Sequence, residues 1–147
     1  HYRLMQAAVE VDSAKSFFNV AQIPRSIVGL TLSLTDACRT PRGFSGGGGI
    51  IAFPSRKALA FHFEFTPVEA AKLPIHILEF FCMLVAVLII SVMTPGAVVA
   101  EYQDNQAVVF AVQLLRSSDP RFQEGILLRE AILERGNLDS RQEYLGT

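Results

Sequence analysis

From Ile77 to Met93 the chain reads ILEFFCMLVAVLIISVM, with Glu79 as its only charge. A stretch this apolar must be hidden, either in lipid or in a protein core. It falls short of the ~20 residues that a membrane span requires. Glu79 would also cost roughly 2.5 kcal/mol or more near the middle of a bilayer. Pro95-Gly96 and a strand-like run follow at once. We therefore read the segment as the buried central helix of an α/β domain, with no membrane partner. Pro74 opens this helix, since proline is tolerated in a first turn, and Pro95-Gly96 closes it at residue 93.

The remaining chain supplies elements to pack around that helix. Residues 3–20 have helical spacing, and residues 1–26 read as a helical connector to a domain over 27–147. A first strand is predicted from Ile27 to Cys38. Pro41, Gly43 and Gly46 to Gly49 then read as a turn leading into a second strand, GIIAF. Pro54-Ser55-Arg56-Lys57 reads as a hairpin loop. The third strand, ALAFHFEF, alternates, with Leu59, Phe61, Phe63 and Phe65 on one face. Pro67 to Pro74 reads as a linker. A fourth strand is predicted over 97–104, with Asn105 capping a helix over 106–117. A second helix follows over 120–135, ended by Gly136. Ser140 and Glu143 have capping-box spacing and predict a short final helix. This order specifies a mixed sheet: a three-strand antiparallel meander plus a parallel strand, with helices packed on it.

Two strands end on a carboxylate. Leu30, Leu32, Leu34 and Asp36 share one face of the first, and Val98, Ala100, Tyr102 and Asp104 share one face of the fourth. If the apolar helix covers both rows, the aspartates emerge together at its end. Glu79, misplaced in an apolar segment, then has a reason to be there. Three carboxylates repel one another unless cations lie between them. Hard divalent ions such as Mg²⁺ take carboxylate oxygens and keep exchangeable waters. The constellation reads as a magnesium site with phosphate as the natural substrate group.

The motifs TDACRTPRGFSGGGG (35–49), LPIHILEFFCMLVAV (73–87) and DNQAVVFAV (104–112) resemble those of ribonuclease H. The likeness is closest to the ribonuclease H domains joined to reverse transcriptases of eukaryotic retroelements, in the tyrosine-recombinase and Gypsy-like groups. A late motif, GNLDSRQ (136–142), is the nearest match to that family's fourth acid. The resemblance implies a ribonuclease H-like fold and hydrolysis of the RNA strand of RNA/DNA hybrids. It implies Asp36, Glu79, Asp104 and Asp139 as catalytic ligands of two Mg²⁺ ions, with Mn²⁺ as a possible substitute. Beside them, Asn105 and Gln106 would read sugar or base edges, and Arg39 and Arg42 would meet phosphates. It further implies a reverse transcriptase domain on the same polypeptide and an intracellular location. Integrases share the fold, but their Glu follows both aspartates, whereas Glu79 lies between Asp36 and Asp104.

Composition narrows the choice. With 147 residues and net charge −1, the chain lacks the basic excess of a nucleic-acid binder working alone. A nuclease drawing affinity from a larger assembly remains compatible. His1 in place of Met leads us to expect a piece of a longer polypeptide. Cys38 and Cys82 read as buried thiols, and no Cys/His cluster has zinc spacing. His62 and His76 read as structural, and the four glycines lack the Lys-Ser/Thr ending of a phosphate loop. Two other readings stand beside the nuclease: a catalytically inactive ribonuclease H-like module bracing a polymerase, and a small membrane protein with one span at 77–93.

Overall fold

The structure of the protein, a computed structural model, describes residues 29–39, 45–55 and 57–146. The expected helix at 3–20, the connector 1–26, Ile27, Pro41, Arg42 and Gly43 lie outside these residues. The described elements run β1 (Leu30–Arg39), β2 (Ser45–Ala52), β3 (Ala58–Glu64), α1 (Pro67–Lys72), α2 (Ile75–Met93), β4 (Val98–Gln103), α3 (Gln106–Leu114), α4 (Pro120–Gly136) and β5 (Asp139–Tyr144). The five strands form one sheet in the order β3-β2-β1-β4-β5. β1, β2 and β3 pair antiparallel, while β4 pairs parallel to β1 and β5 parallel to β4. This is the mixed sheet expected from the order of elements.

The apolar segment forms α2, the centre of the core, starting directly after Pro74 as expected. By length and composition alone α2 could cross a membrane, with a mean hydropathy of 2.6 over its best window. In this fold it packs against β1, β2 and α4. Leu78, Met83, Val85, Val87 and Ile90 are each at most 1% exposed. Phe61, Phe63 and Phe65 of the β3 row lie in the same cluster, and Phe80 stacks on Phe122 of α4 at 4.1 Å. Stacked rings of this kind add to the area that each phenylalanine buries.

Four expectations are corrected. First, α2 does not cover the Leu30-Leu32-Leu34 row. That row and the Val98-Ala100-Tyr102 row do share a face, as the pairs Leu30↔Val98, Leu32↔Ala100 and Leu34↔Tyr102 show. The helix-side cluster, however, holds Ala37, Ile51, Phe61, Phe63 and Val99. Strand alternation puts Thr31, Ser33 and Thr35 on that same side. The helix side of β1 is the drier one: Thr31, Ser33, Thr35 and Ala37 are buried, while Leu30, Leu34, Asp36 and Cys38 on the other side are half-buried.

Second, Gly46 to Gly49 are not a turn but the interior of β2, paired with Cys38 to Thr35. Glycine is needed there because other groups approach the backbone closely. A Cβ on Gly47 would run into the Cys82 sulfur, and one on Gly49 would meet the Leu34 carbonyl and the Phe61 ring at 2.9 Å. We expect Gly47→Ala to destabilise the fold by ~1–3 kcal/mol in urea denaturation. Adding Cys82→Ala should restore most of that loss, because it removes the clashing atom.

Third, part of the expected linker is α1. Thr66 caps it by accepting from the Glu69 amide at 3.2 Å, and Pro67 occupies the first turn. The local signal was present in Thr66-Pro67-Val68-Glu69, a capping-box spacing. Fourth, the expected final helix is β5. Asn137 takes a left-handed conformation (φ 51°) that ends α4 and turns the chain into the sheet. The expected helix over 106–117 also stops earlier, at Leu114, where Leu115 adopts φ 56°.

Candidate active site

In open sheets with parallel strands, ligands bind in the crevice outside the carboxyl ends of strands, where chain directions part. Here the parallel ladder of β1 and β4 ends at Leu34↔Tyr102. Beyond that pair β1 continues beside β2 alone, carrying Asp36 opposite Gly48. β4 stops at Gln103, and Asp104 follows. Glu79 arrives from the first turns of α2. Asp36, Glu79 and Asp104 each offer a carboxylate oxygen, and these oxygens lie within 4.8 Å of one another.

The electrostatics match that crowding. Burial, together with the charge of Asp104, raises the Asp36 carboxyl above its ordinary pKa, opposed by the Ala37 amide that its Oδ1 accepts at 2.9 Å. Burial is also the main cause of the raised Glu79 pKa. The hydrogen bond from Asn105 opposes it, while Asp104 and Asp36 add to it. Glu79 is 8% exposed. Among the described residues, no salt bridge is formed by Asp36, Glu79 or Asp104. Three hard oxygen donors crowded together, with Asp36 and Glu79 holding their protons more tightly than usual, suit a hard divalent cation.

A polar frame stands behind the acids. Asn105 donates from Nδ2 to Glu79 Oε2, and its Oδ1 accepts from the Ala107 and Val108 amides at 3.1 and 3.2 Å. It thus caps α3 as expected and also holds Glu79. Gln103, fully buried, accepts from the Asp104 and Asn105 amides at 3.0 and 3.3 Å. Its Nε2 approaches Thr35 Oγ1 at 3.4 Å. Gln106 is exposed at the first position of α3. Cys82 lies one turn beyond Glu79, and burial pushes its thiol far up, so it is an inert packing group.

Two of the expected site residues are placed elsewhere. Asp139 opens β5 opposite Val98, while Asp104 follows the other end of β4. Six positions along a strand separate them by roughly 20 Å. Asp139 therefore cannot share an ion with the other three; the motif matched to a fourth acid lies at the far end of a parallel strand. Arg39 is tied down: its Nη2 donates to the Ala70 carbonyl at 2.6 Å and to the Leu73 carbonyl, and its Nε to Ser45 Oγ. It caps the carboxyl end of α1 rather than presenting its guanidinium as a free phosphate ligand. Arg42 lies outside the described residues. His76, read as structural, stacks on Phe122 with ring centroids 6.2 Å apart.

Sequence reasoning missed Glu101, Arg129 and Ser140. Glu101 and Arg129 are each 1% exposed and form a two-armed ion pair through both guanidinium Nη atoms. Ser140 and Gln142 of β5 donate to the same carboxylate. The signal was a glutamate inside a valine-rich strand, which demands a buried cation.

No protein-family model matches this chain, and no curated protein matches it. Solved structures do. RNase H1 from the halophilic archaeon Halobacterium salinarum is 12% identical, with TM-score 0.65, covering 80% of this chain and 86% of that chain. LC11-RNase H1, isolated from compost and solved in complex with an RNA/DNA hybrid, is 16% identical, with TM-score 0.54 over 78% and 85% of the two chains. The foamy viral protease-reverse transcriptase, also in complex with an RNA/DNA hybrid, is 11% identical with TM-score 0.55. There the match covers 86% of this chain and 19% of the viral one. The fold is that of a ribonuclease H-like domain.

Proposed function

We propose that this chain is a divalent-metal-dependent ribonuclease H that hydrolyses the RNA strand of RNA/DNA hybrids. One observation carries the reading: within a ribonuclease H fold, Asp36, Glu79 and Asp104 bring their oxygens within 4.8 Å at the parting of two parallel strands. The structural neighbours solved with RNA/DNA hybrids support the substrate, and the foamy viral neighbour supports a setting beside a reverse transcriptase. We extend the proposal to a retroelement polyprotein that carries the polymerase on the same polypeptide and works inside the cell.

Asp36, Glu79 and Asp104 would hold the metal, which we take to be two Mg²⁺ ions, replaceable by Mn²⁺. When bound, such ions activate water and stabilise charge on the leaving oxygen. The chain's own residues set the conditions for this. The three carboxylates attract the cations, Asn105 keeps Glu79 facing the other acids, and the Asp36 carboxylate is fixed by the Ala37 amide. Gln106, exposed beside Asp104, is placed to meet sugar or base edges, and discrimination for RNA would rest on contacts to the 2′-hydroxyl.

The test is cleavage of an end-labelled RNA strand in a hybrid with Mg²⁺, run beside Asp104→Asn. The wild type should yield products with 5′-phosphate and 3′-hydroxyl ends and leave the DNA strand intact. Loss of a ligand should lower the rate by more than the ~10–100-fold typical of residues that only support ligands. Equal inactivity of both proteins, with unchanged circular dichroism, would favour the inactive brace.

A further inference from the structure

β4 ends at Gln103, and a strand end leaves backbone amides that must find acceptors. Gln103 meets this need with its own side chain. Its Oε1 accepts from the Asp104 amide at 3.0 Å and from the Asn105 amide at 3.3 Å, in a position with no exposure to solvent. The same carboxamide reaches across the parted strands to Thr35 Oγ1 at 3.4 Å. Thr35 is the neighbour of Asp36, and Asn105 donates to Glu79. One buried amide thus links β1 to the turn after β4, whose Asn105 in turn holds Glu79 of α2. It touches none of the three carboxylates.

We propose that Gln103 is the positioning residue of this site: it fixes the turn after β4 so that Asp104 and the Asn105–Glu79 pair stand at metal-sharing distance from Asp36. The proposal rests on the nuclease reading for its function and on the hydrogen bonds for its geometry. The three contacts need an acceptor facing two amides and a donor facing a hydroxyl, at the reach of a glutamine. Methionine matches the length and supplies neither. Glutamate retains the acceptor but brings a negative charge close to three others. Thr35→Val removes only the cross-strand contact.

The test measures Mg²⁺ binding by calorimetry, together with exchange rates of the Asp104 and Asn105 amides, in wild type, Gln103→Met, Gln103→Glu and Thr35→Val. Gln103→Met should weaken Mg²⁺ binding 10–100-fold, as loss of support around a ligand does. It should also raise the Mg²⁺ concentration for half-maximal cleavage, with much of the rate recovered at saturating ion. Both amides should exchange faster in Gln103→Met and remain protected in Gln103→Glu. Thr35→Val should cost only a few-fold in Mg²⁺ affinity. Wild-type Mg²⁺ affinity and unchanged half-saturation in Gln103→Met would overturn the proposal. If that variant does not fold, unchanged Mg²⁺ affinity in Thr35→Val, which deletes the cross-strand contact without adding charge, overturns it. A wild type that binds Mg²⁺ but leaves hybrids uncut sinks the nuclease reading alone, since the effect of Gln103 on ion affinity is read without substrate.

Discussion

Glu79→Gln will abolish Mg²⁺-dependent cleavage while making the ion-free protein more stable at neutral pH than the wild type. The two effects share one cause. Glutamine can still accept from Asn105 Nδ2 through its amide oxygen, so the hydrogen bond survives and only the charge is lost. Asp36 and Glu79 hold their protons more tightly in the fold than at their ordinary values of 3.8 and 4.5. Below those values both acids are protonated in folded and unfolded chains alike, and their ionisation contributes no penalty. As pH rises through them, the unfolded chain releases its protons first, so stability falls until the raised folded values are passed. Glu79→Gln removes its own share of that fall. Thermal melts at pH 4 and pH 7.5 should therefore show the variant gaining on the wild type at the higher pH. Mg²⁺ should reverse the order, because binding to the native state stabilises by mass action and the variant binds less. A wild type whose stability is indifferent to both pH and Mg²⁺ over this range would contradict a shared carboxylate site.

Arg129→Met should be the most destabilising single change in the described chain, at about 3–5 kcal/mol. It strands the carboxylate of Glu101, which is 1% exposed and otherwise held only by the Ser140 hydroxyl and the Gln142 amide. That is a large part of the ~5–15 kcal/mol by which domains are stable. The double variant Arg129→Met/Glu101→Leu should recover most of the loss, because the cost lies in the unpaired charge and not in the missing attraction. Urea denaturation of the three proteins decides this. Similar midpoints for the single and double variants would show that the ion pair itself, and not the stranded charge, accounts for the loss. The network also joins α4, β4 and β5, so its rupture should loosen the edge strand first, seen as faster exchange of the β5 amides.

Several features were legible because they depend on neighbours along the chain. Pro74 and Pro95-Gly96 bracket α2 through backbone chemistry alone, and its boundaries at Ile75 and Met93 agree with the reading. Asn105 caps α3 through its own side chain. The alternation in β3 is clear because that edge strand is buried on one face only. Asp36, Glu79 and Asp104 were identifiable from their conjunction: two matched strand rows that each run into an aspartate, and one glutamate in an otherwise apolar helix. Asp139 was misjudged because a motif gives an order of residues but not the direction in which a strand crosses the sheet. Ser140 was taken for a helix cap because its partners, Glu101 and Arg129, are remote in sequence.

What the amino-acid order determined by itself was a mixed α/β domain built on one hidden helix, with acids at its start and at two strand ends. Those are matters of short-range pattern and of charges that cannot be buried without reason. Only tertiary structure decided which side of β1 the helix covers, that four glycines line a strand, and which acids meet. In β1 the residue types mislead: the hydroxyl row Thr31, Ser33, Thr35 is the buried one, while Leu30 and Leu34 of the apolar row are only half-buried. That choice belongs to the shapes packed on the sheet, here the Cys82 sulfur on Gly47 and the Phe61 ring on Gly49.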